Sequence, residues 1–185
     1  PVMPGSIVLL ARDGTPAGTN RIGDAAAAGS RRFLDEVLVG GDRLLVSGRS
    51  LQRTDSGGDR EMSVSIIDLN GKELVRLLEK RGGDPITTRR YVERDEYWVS
   101  RGGMATGHDG RVYLAQERDR YAIWAYAPDG KVERVIEREI RPRKRTTEEK
   151  ARVGEGMIAI VNGERIRFEI VAEELPPCVQ GMTAM

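Results

Sequence analysis

An apolar strand that runs into Asp-Gly or Asn-Gly occurs three times in this 185-residue chain: SIVLLARDG ends at Gly14, SIIDLNG at Gly71 and IWAYAPDG at Gly130. Glycine reaches the positive φ that a tight hairpin turn demands, so each stretch reads as a strand turning into an antiparallel partner. With the glycines at 14, 71 and 130, successive copies lie 57 and 59 residues apart. A period that regular points to a tandem repeat whose units bury their faces against one another.

Upstream of the turns the likeness continues. VLVGGDRLLVSG (37–48) aligns without a gap to ATGHDGRVYLAQ (105–116): a strand, a Gly/Asp turn, then an apolar strand led by arginine. One unit therefore has four strands at 33–39, 43–48, 63–69 and 72–79, and the next has four at 102–107, 111–116, 121–127 and 131–138. Residues 6–20 read as the last hairpin of a preceding unit. VQGMTAM (179–185) repeats RGGMATG (101–107), the first strand of a following one. The chain divides into the end of one unit (1–24), a unit (33–79), a connection (80–101), a second unit (102–138), an insertion (139–177) and the start of a further unit (178–185). An open antiparallel sheet or a sandwich is the alternative. Sandwich turns recur every ~8–12 residues without a longer period, and the longer period favours stacked units.

Four-stranded meanders in tandem build β-propeller blades. The segment GMATGHDGRVYLAQERDRYAIWAYAPDGKVERVI resembles a blade of the NHL or TolB-like six-bladed propellers, which have close counterparts of DGRVYLA and YAPDGKV. The resemblance implies an all-β fold: a β-propeller segment of about two complete four-stranded blades with partial flanking blades and a small α+β insertion. Such propellers include binding platforms and enzymes alike. Two whole units and two partial ones do not close a ring, so the expectation is a segment of a longer propeller. Its end surfaces, at Ile7, Leu9, Val179 and Met182, are expected to meet water and to make the isolated segment self-associate.

Charge narrows the partners. Thirty basic residues against 29 acidic give a net charge of +1, which supplies no field for nucleic acid or an anionic membrane. The one cysteine, Cys178, has no mate for a disulfide or a thiolate metal site. No apolar run reaches the ~18 residues of a membrane span.

In the insertion, Thr146 with Glu149 fits a capping box that starts a helix over 147–153, and Asn162-Gly163 turns a further hairpin. Both are expected to lie outside the packing of the units, so that residues 141–174 are dispensable for folding. The cluster Arg141, Arg143, Lys144 and Arg145 could gather phosphate. Glu137, Glu139, Glu148 and Glu149 lie close by and no aromatic is interleaved for stacking, so it reads as a self-neutralised linker.

Residues for catalysis are scarce. His108 is the only histidine and sits in the turn GHDG, with no second base to build a triad. ERDEYW (93–98) matches no calcium loop, and DSGGD and KRGGD lack the strand-to-helix setting of a phosphate loop. The pattern predicts neither a catalytic set, a metal site nor a cofactor. Lactonase-type propellers hold a metal in the central channel with acidic and amide side chains; the first strands here offer no equivalent set.

Loop length is more informative. Turns at one end of each unit are tight, while 49–62, 80–101 and the insertion form long connections at the other, where binding residues collect. They carry Arg53, Arg89, Arg90, Tyr91, Tyr97 and Trp98, and Arg and aromatics are the usual anchors of interfaces. Tyr97 and Trp98 suit a core position at the head of the next strand equally well. The leading expectation is a non-enzymatic propeller scaffold that binds a protein or peptide on its long-loop face. The alternatives are a metal-dependent lactonase-like hydrolase or lyase completed by other blades, and a purely structural repeat.

Overall fold

The computed structural model describes residues 6–21, 30–54, 57–100, 102–155, 159–161, 163–179 and 181–182. The protein is all-β. Strands β3 (Ser30–Gly40), β4 (Arg43–Thr54), β5 (Gly57–Asp68) and β6 (Glu73–Gly83) form a first antiparallel meander in chain order. Strands β8 (Met104–Thr106), β9 (Val112–Leu114), β10 (Tyr121–Tyr126) and β11 (Val132–Arg138) form a second. Ahead of both, β1 (Ser6–Leu10) and β2 (Pro16–Arg21) pair as a hairpin. Each sheet is open, with two free edges.

The repeated turn has one construction. Ala11, Asp68, Gly107 and Ala127 each accept from the glycine three residues on, at 2.9, 3.0, 3.1 and 2.8 Å, and donate to the carbonyl one residue beyond it. Only the glycine takes positive φ, at +83, +86, +76 and +84°. This is the three-residue hairpin with a glycine bulge, not the two-residue Asn-Gly turn. Asp13, Asp109 and Asp129 brace it by accepting the N–H two residues on. In the Asn70 copy Asp68 takes that part, accepting from Asn70 and Lys72.

The two sheets pack face to face. Along β5 the apolar Met62, Val64 and Ile66 alternate with Ser63 and Ser65, so one whole face turns to the second sheet. There they join Leu45, Met104, Val112, Leu114 and Tyr126 in one buried cluster, with Val64 and Leu114 fully enclosed. Full burial of each such side chain contributes about 1.5–3 kcal/mol. The opposite face of the first sheet buries Leu44, Val46 and Ile67 against Ile7 of β1. At the turn end, Arg43 Nη1 donates to Pro128 O at 2.5 Å and Thr106 Oγ1 to Val39 O at 2.8 Å.

At the other end the sheets differ in length. Residues 49–62, expected as a loop, continue β4 and β5 as a hairpin paired as far as Thr54↔Gly57. Strands of 12 residues in the first sheet thus outrun strands of three in the second. The connection 80–101 covers the overhang. It begins with the end of β6, makes one helical turn, α1 (Pro85–Thr88), capped by Asp84 and closed by Arg89 at φ +52°, and enters β7 (Arg90–Val92).

The insertion forms helix α2 (Thr147–Val153) with the expected capping box in both directions. The short strands β12 (Ala159–Val161) and β13 (Glu164–Ile166) follow, with Gly163 at φ +84° between them. Asn162 of that turn lies outside the described residues. The chain then departs from expectation: β14 (Glu169–Val171) returns to pair in parallel with β7, Ile170 opposite Tyr91. The insertion is therefore built into the fold, not appended to it.

Candidate binding cleft

Where the first sheet overhangs, a cleft of about 480 Å³ opens between the ends of β5 and β6, helix α1, β7 and residues 94–96. Its walls include Arg60, Lys80, Arg81, Arg90 and Arg94 against two carboxylates, Asp95 and Glu96; Met62, Gly82, Gly83, Pro85, Thr88 and Val92 make the remainder.

Two buried charge clusters fix those walls. Arg60, 8% exposed in its side chain, grips Glu96 in a bidentate pair at 2.6 and 2.7 Å. Behind β7, the carboxylate of Glu93 accepts from Arg118 Nη2 at 3.0 Å, from both Nη atoms of Arg145 at 2.5 and 2.9 Å, and from the Glu173 N–H at 2.9 Å. The side chains of Arg118, Glu93 and Arg145 are 5, 10 and 13% exposed. Burial alone would raise the Glu93 carboxyl; the hydrogen bonds from Arg145, Glu173 and Arg118 outweigh it and hold the group below the usual carboxylate range. This cluster joins β7, the turn after β9 and the insertion at one point.

Lys80 is different in kind. Its ammonium donates to Asp95 O at 2.6 Å and Tyr97 O at 3.2 Å, and among the described residues it makes no ion pair within 4 Å. Burial pulls it below the ordinary lysine range; Arg60 adds to that pull, and Glu96 and Asp95 oppose it. At the rim, Arg81 touches Glu61 and Glu79 with 74% of its side chain exposed, and Arg90 stands 3.6 Å from Glu169 with 55% exposed. Arg94 bridges Asp119 and Glu173.

The residues singled out from the sequence separate into two sets. Arg90 lines the cleft, and Arg89 is exposed beside it at the end of α1. Arg53 falls on β4, its side chain outside the described residues. The aromatics belong to the interior. Trp98 packs in the core between the sheets, its Nε1 donating to the buried Ser47 Oγ at 2.9 Å. Tyr91 is buried at β7. The Tyr97 hydroxyl donates to Ala115 O at 2.7 Å, and burial pushes its pKa up to about 12. Arg60, Lys80 and Arg81 fall within the connections 49–62 and 80–101, but nothing in the sequence sets them apart from the other charged residues there; the structure places them on β5 and β6.

Three cations of the basic cluster after β11 are paired, Arg143 with Glu149, Lys144 with Glu174 and Arg145 with Glu93. His108 is exposed in its turn. No helix among the described residues is long and apolar enough to cross a membrane. Comparison with protein-family models, curated proteins and solved structures gives no match.

Proposed function

We propose that the chain is a non-enzymatic scaffold of β-propeller blades, akin to the NHL and TolB-like propellers, that binds a protein or peptide partner at the rim where its long connections lie. The observation that carries the reading is the cleft beside β6, whose size falls in the range of ligand sites and whose walls are set by buried ion pairs. A site on rigid strands needs little ordering when a ligand arrives, which favours affinity. The tandem meanders packed face to face support the blade reading.

A random-peptide display library selected against the full chain tests it. Gly82 lines the cleft and a side chain added there meets open space, so Gly82→Trp should fill the site without disturbing the sheet. Selected peptides are expected to bind the parent chain and to lose binding to Gly82→Trp. Selection yielding no peptide sensitive to Gly82→Trp would exclude the rim as the binding surface.

A further inference from the structure

The joint between the two sheets recurs in the molecule as two halves that stand apart. One half is the outer face of the second sheet. Tyr121 and Ile123 stand nine and seven residues ahead of Gly130, as Met62 and Val64 stand ahead of Gly71. Tyr113 lies opposite Ala125 as Leu45 lies opposite Ile66, and Ile136 lies opposite Ile123 as Leu78 lies opposite Val64. In the first sheet Met62, Val64, Leu45 and Leu78 pack into the core between the sheets. Their counterparts in the second sheet line an open hollow of about 610 Å³, with Ile136 40% exposed. Met182, from the motif that repeats RGGMATG, also lines that hollow, whereas Met104 of RGGMATG is buried in the core.

The other half is on β1. Its side chains alternate, so Ile7 packs on the first sheet while Val8 and Leu10 point away, 55 and 62% exposed. Leu10 and Val8 stand four and six residues ahead of Gly14, as Tyr126 and Trp124 stand ahead of Gly130. Tyr126 and Trp124 are side chains that the second sheet sends into the core. Their turn is seated on its neighbour: a Cβ at Gly130 would strike Val75 of the first sheet, whereas one at Gly14 meets nothing within 4 Å. The hairpin thus carries the inserting half of the joint uncovered, and the second sheet carries the receiving half.

The two halves lie on opposite flanks of one chain, and a second copy supplies what each lacks. We infer that the outer face of the second sheet docks the β1–β2 hairpin of a second copy, Val8 and Leu10 entering the hollow of Tyr113, Tyr121, Ile123 and Ile136 in the register of the internal joint. Because the two patches differ, the contact is heterologous and copies add head to tail. Two strands cover less of the face than the four of an internal meander, and a contact of that size is weak and concentration-dependent. The surface shares no residue with the rim cleft, so the rim reading stands or falls separately.

Sedimentation equilibrium on the full chain tests this with two variants at exposed positions. Ile136→Lys blocks the receiving face and Leu10→Lys blocks the hairpin. Either variant alone should stay monomeric where the parent chain gives dimers and larger species, with an unchanged circular dichroism spectrum and urea midpoint. An equal mixture of the two should recover a 1:1 dimer and nothing larger, since the hairpin of Ile136→Lys and the face of Leu10→Lys are both intact. Ile136→Gln and Leu10→Gln repeat the test without added charge should a lysine variant shift the midpoint. Association of the Leu10 variants equal to that of the parent would overturn the inference and assign the face to pairing with itself. A mixture that stays monomeric would overturn it, and so would a parent chain that is monomeric at every concentration.

Discussion

Arg145 and Glu93, 52 residues apart in sequence, meet in a two-pronged contact at 2.5 and 2.9 Å, with both side chains nearly enclosed. Arg118 approaches the same carboxylate from the second sheet. One carboxylate thus binds two buried guanidinium groups, with Asp119 supplying the second negative charge to Arg118 at 2.7 Å, and ties the insertion to the strands it interrupts.

Removing that carboxylate leaves the buried Arg145 guanidinium without its ion pair and Arg118 with Asp119 alone. Glu93→Ala should destabilise the protein by about 3–5 kcal/mol in urea unfolding. Acid should act in the same direction. The folded carboxyl lies below the ordinary value of 4.5, so its contribution is complete above the unfolded-state pKa and is lost as pH falls through the folded one. The acid limb of the stability curve should be shallower in Glu93→Gln. An identical limb in both proteins would show that Glu93 does not anchor the insertion. For the same reason deletion of 141–174, expected from the sequence to be harmless, should abolish cooperative unfolding.

Glu149 offers a second titration, at the surface. The Arg143 guanidinium, followed by the Thr146 N–H of the capping box, lowers its pKa to about 2. A carbon-detected NMR titration should find its midpoint near there and find it raised in Arg143→Ala. A midpoint at the ordinary glutamate value in the parent chain would mean that the cap is not formed in solution.

Gly14 and Gly130 occupy equivalent turns at nearly the same φ, +83 and +84°. Gly14 faces open space, whereas a Cβ at Gly130 would stand 2.3 Å from Val75 Cγ1 on the neighbouring sheet. Gly14→Ala should cost only the left-handed strain, about 1–2 kcal/mol. Gly130→Ala should cost more, and Val75→Ala should restore part of the difference in a double-mutant cycle. Equal losses at the two positions would mean that the turn does not dock on β6.

Self-association is expected from the outward face of the second sheet, where Tyr113, Tyr121, Ile123, Ile136 and Met182 line a hollow of about 610 Å³. Val179, expected from the sequence to meet water, is 7% exposed and is not part of that surface. Light scattering across a dilution series should show assembly that Ile136→Lys reduces. A single monomeric mass at all concentrations would remove the case for an adhesive outer face.

Legibility followed locality. The glycine turns at Gly14, Gly71 and Gly130 and the cap at Thr146 are written within four or five neighbouring residues and lie where the sequence puts them, the turns being of the three-residue kind. The extension of β4 past Arg49 was not readable, because RSLQRT carries no apolar alternation; its pairing is inherited from the hairpin that begins at Arg43. The Glu93, Arg118 and Arg145 cluster was hidden for another reason. With 59 charged residues to choose from, sequence alone does not say which acid meets which base. By sequence Trp98 suits core and surface equally, and the buried Ser47 hydroxyl that accepts from its ring nitrogen decides for the core.

The parallel pairing of β7 with β14 has a kinetic meaning. Glu93 and Glu173, joined just beyond those strands, are 80 residues apart, and the whole second sheet lies in the chain between them. Closing so long a loop is entropically costly until the intervening sheet has condensed. The clasp is therefore expected to close late, after the rate-limiting step, so that its loss should show in the rate of opening. Weakening β14 should accelerate unfolding and leave refolding nearly unchanged, which would make three residues of backbone pairing the latch on the lifetime of the native state.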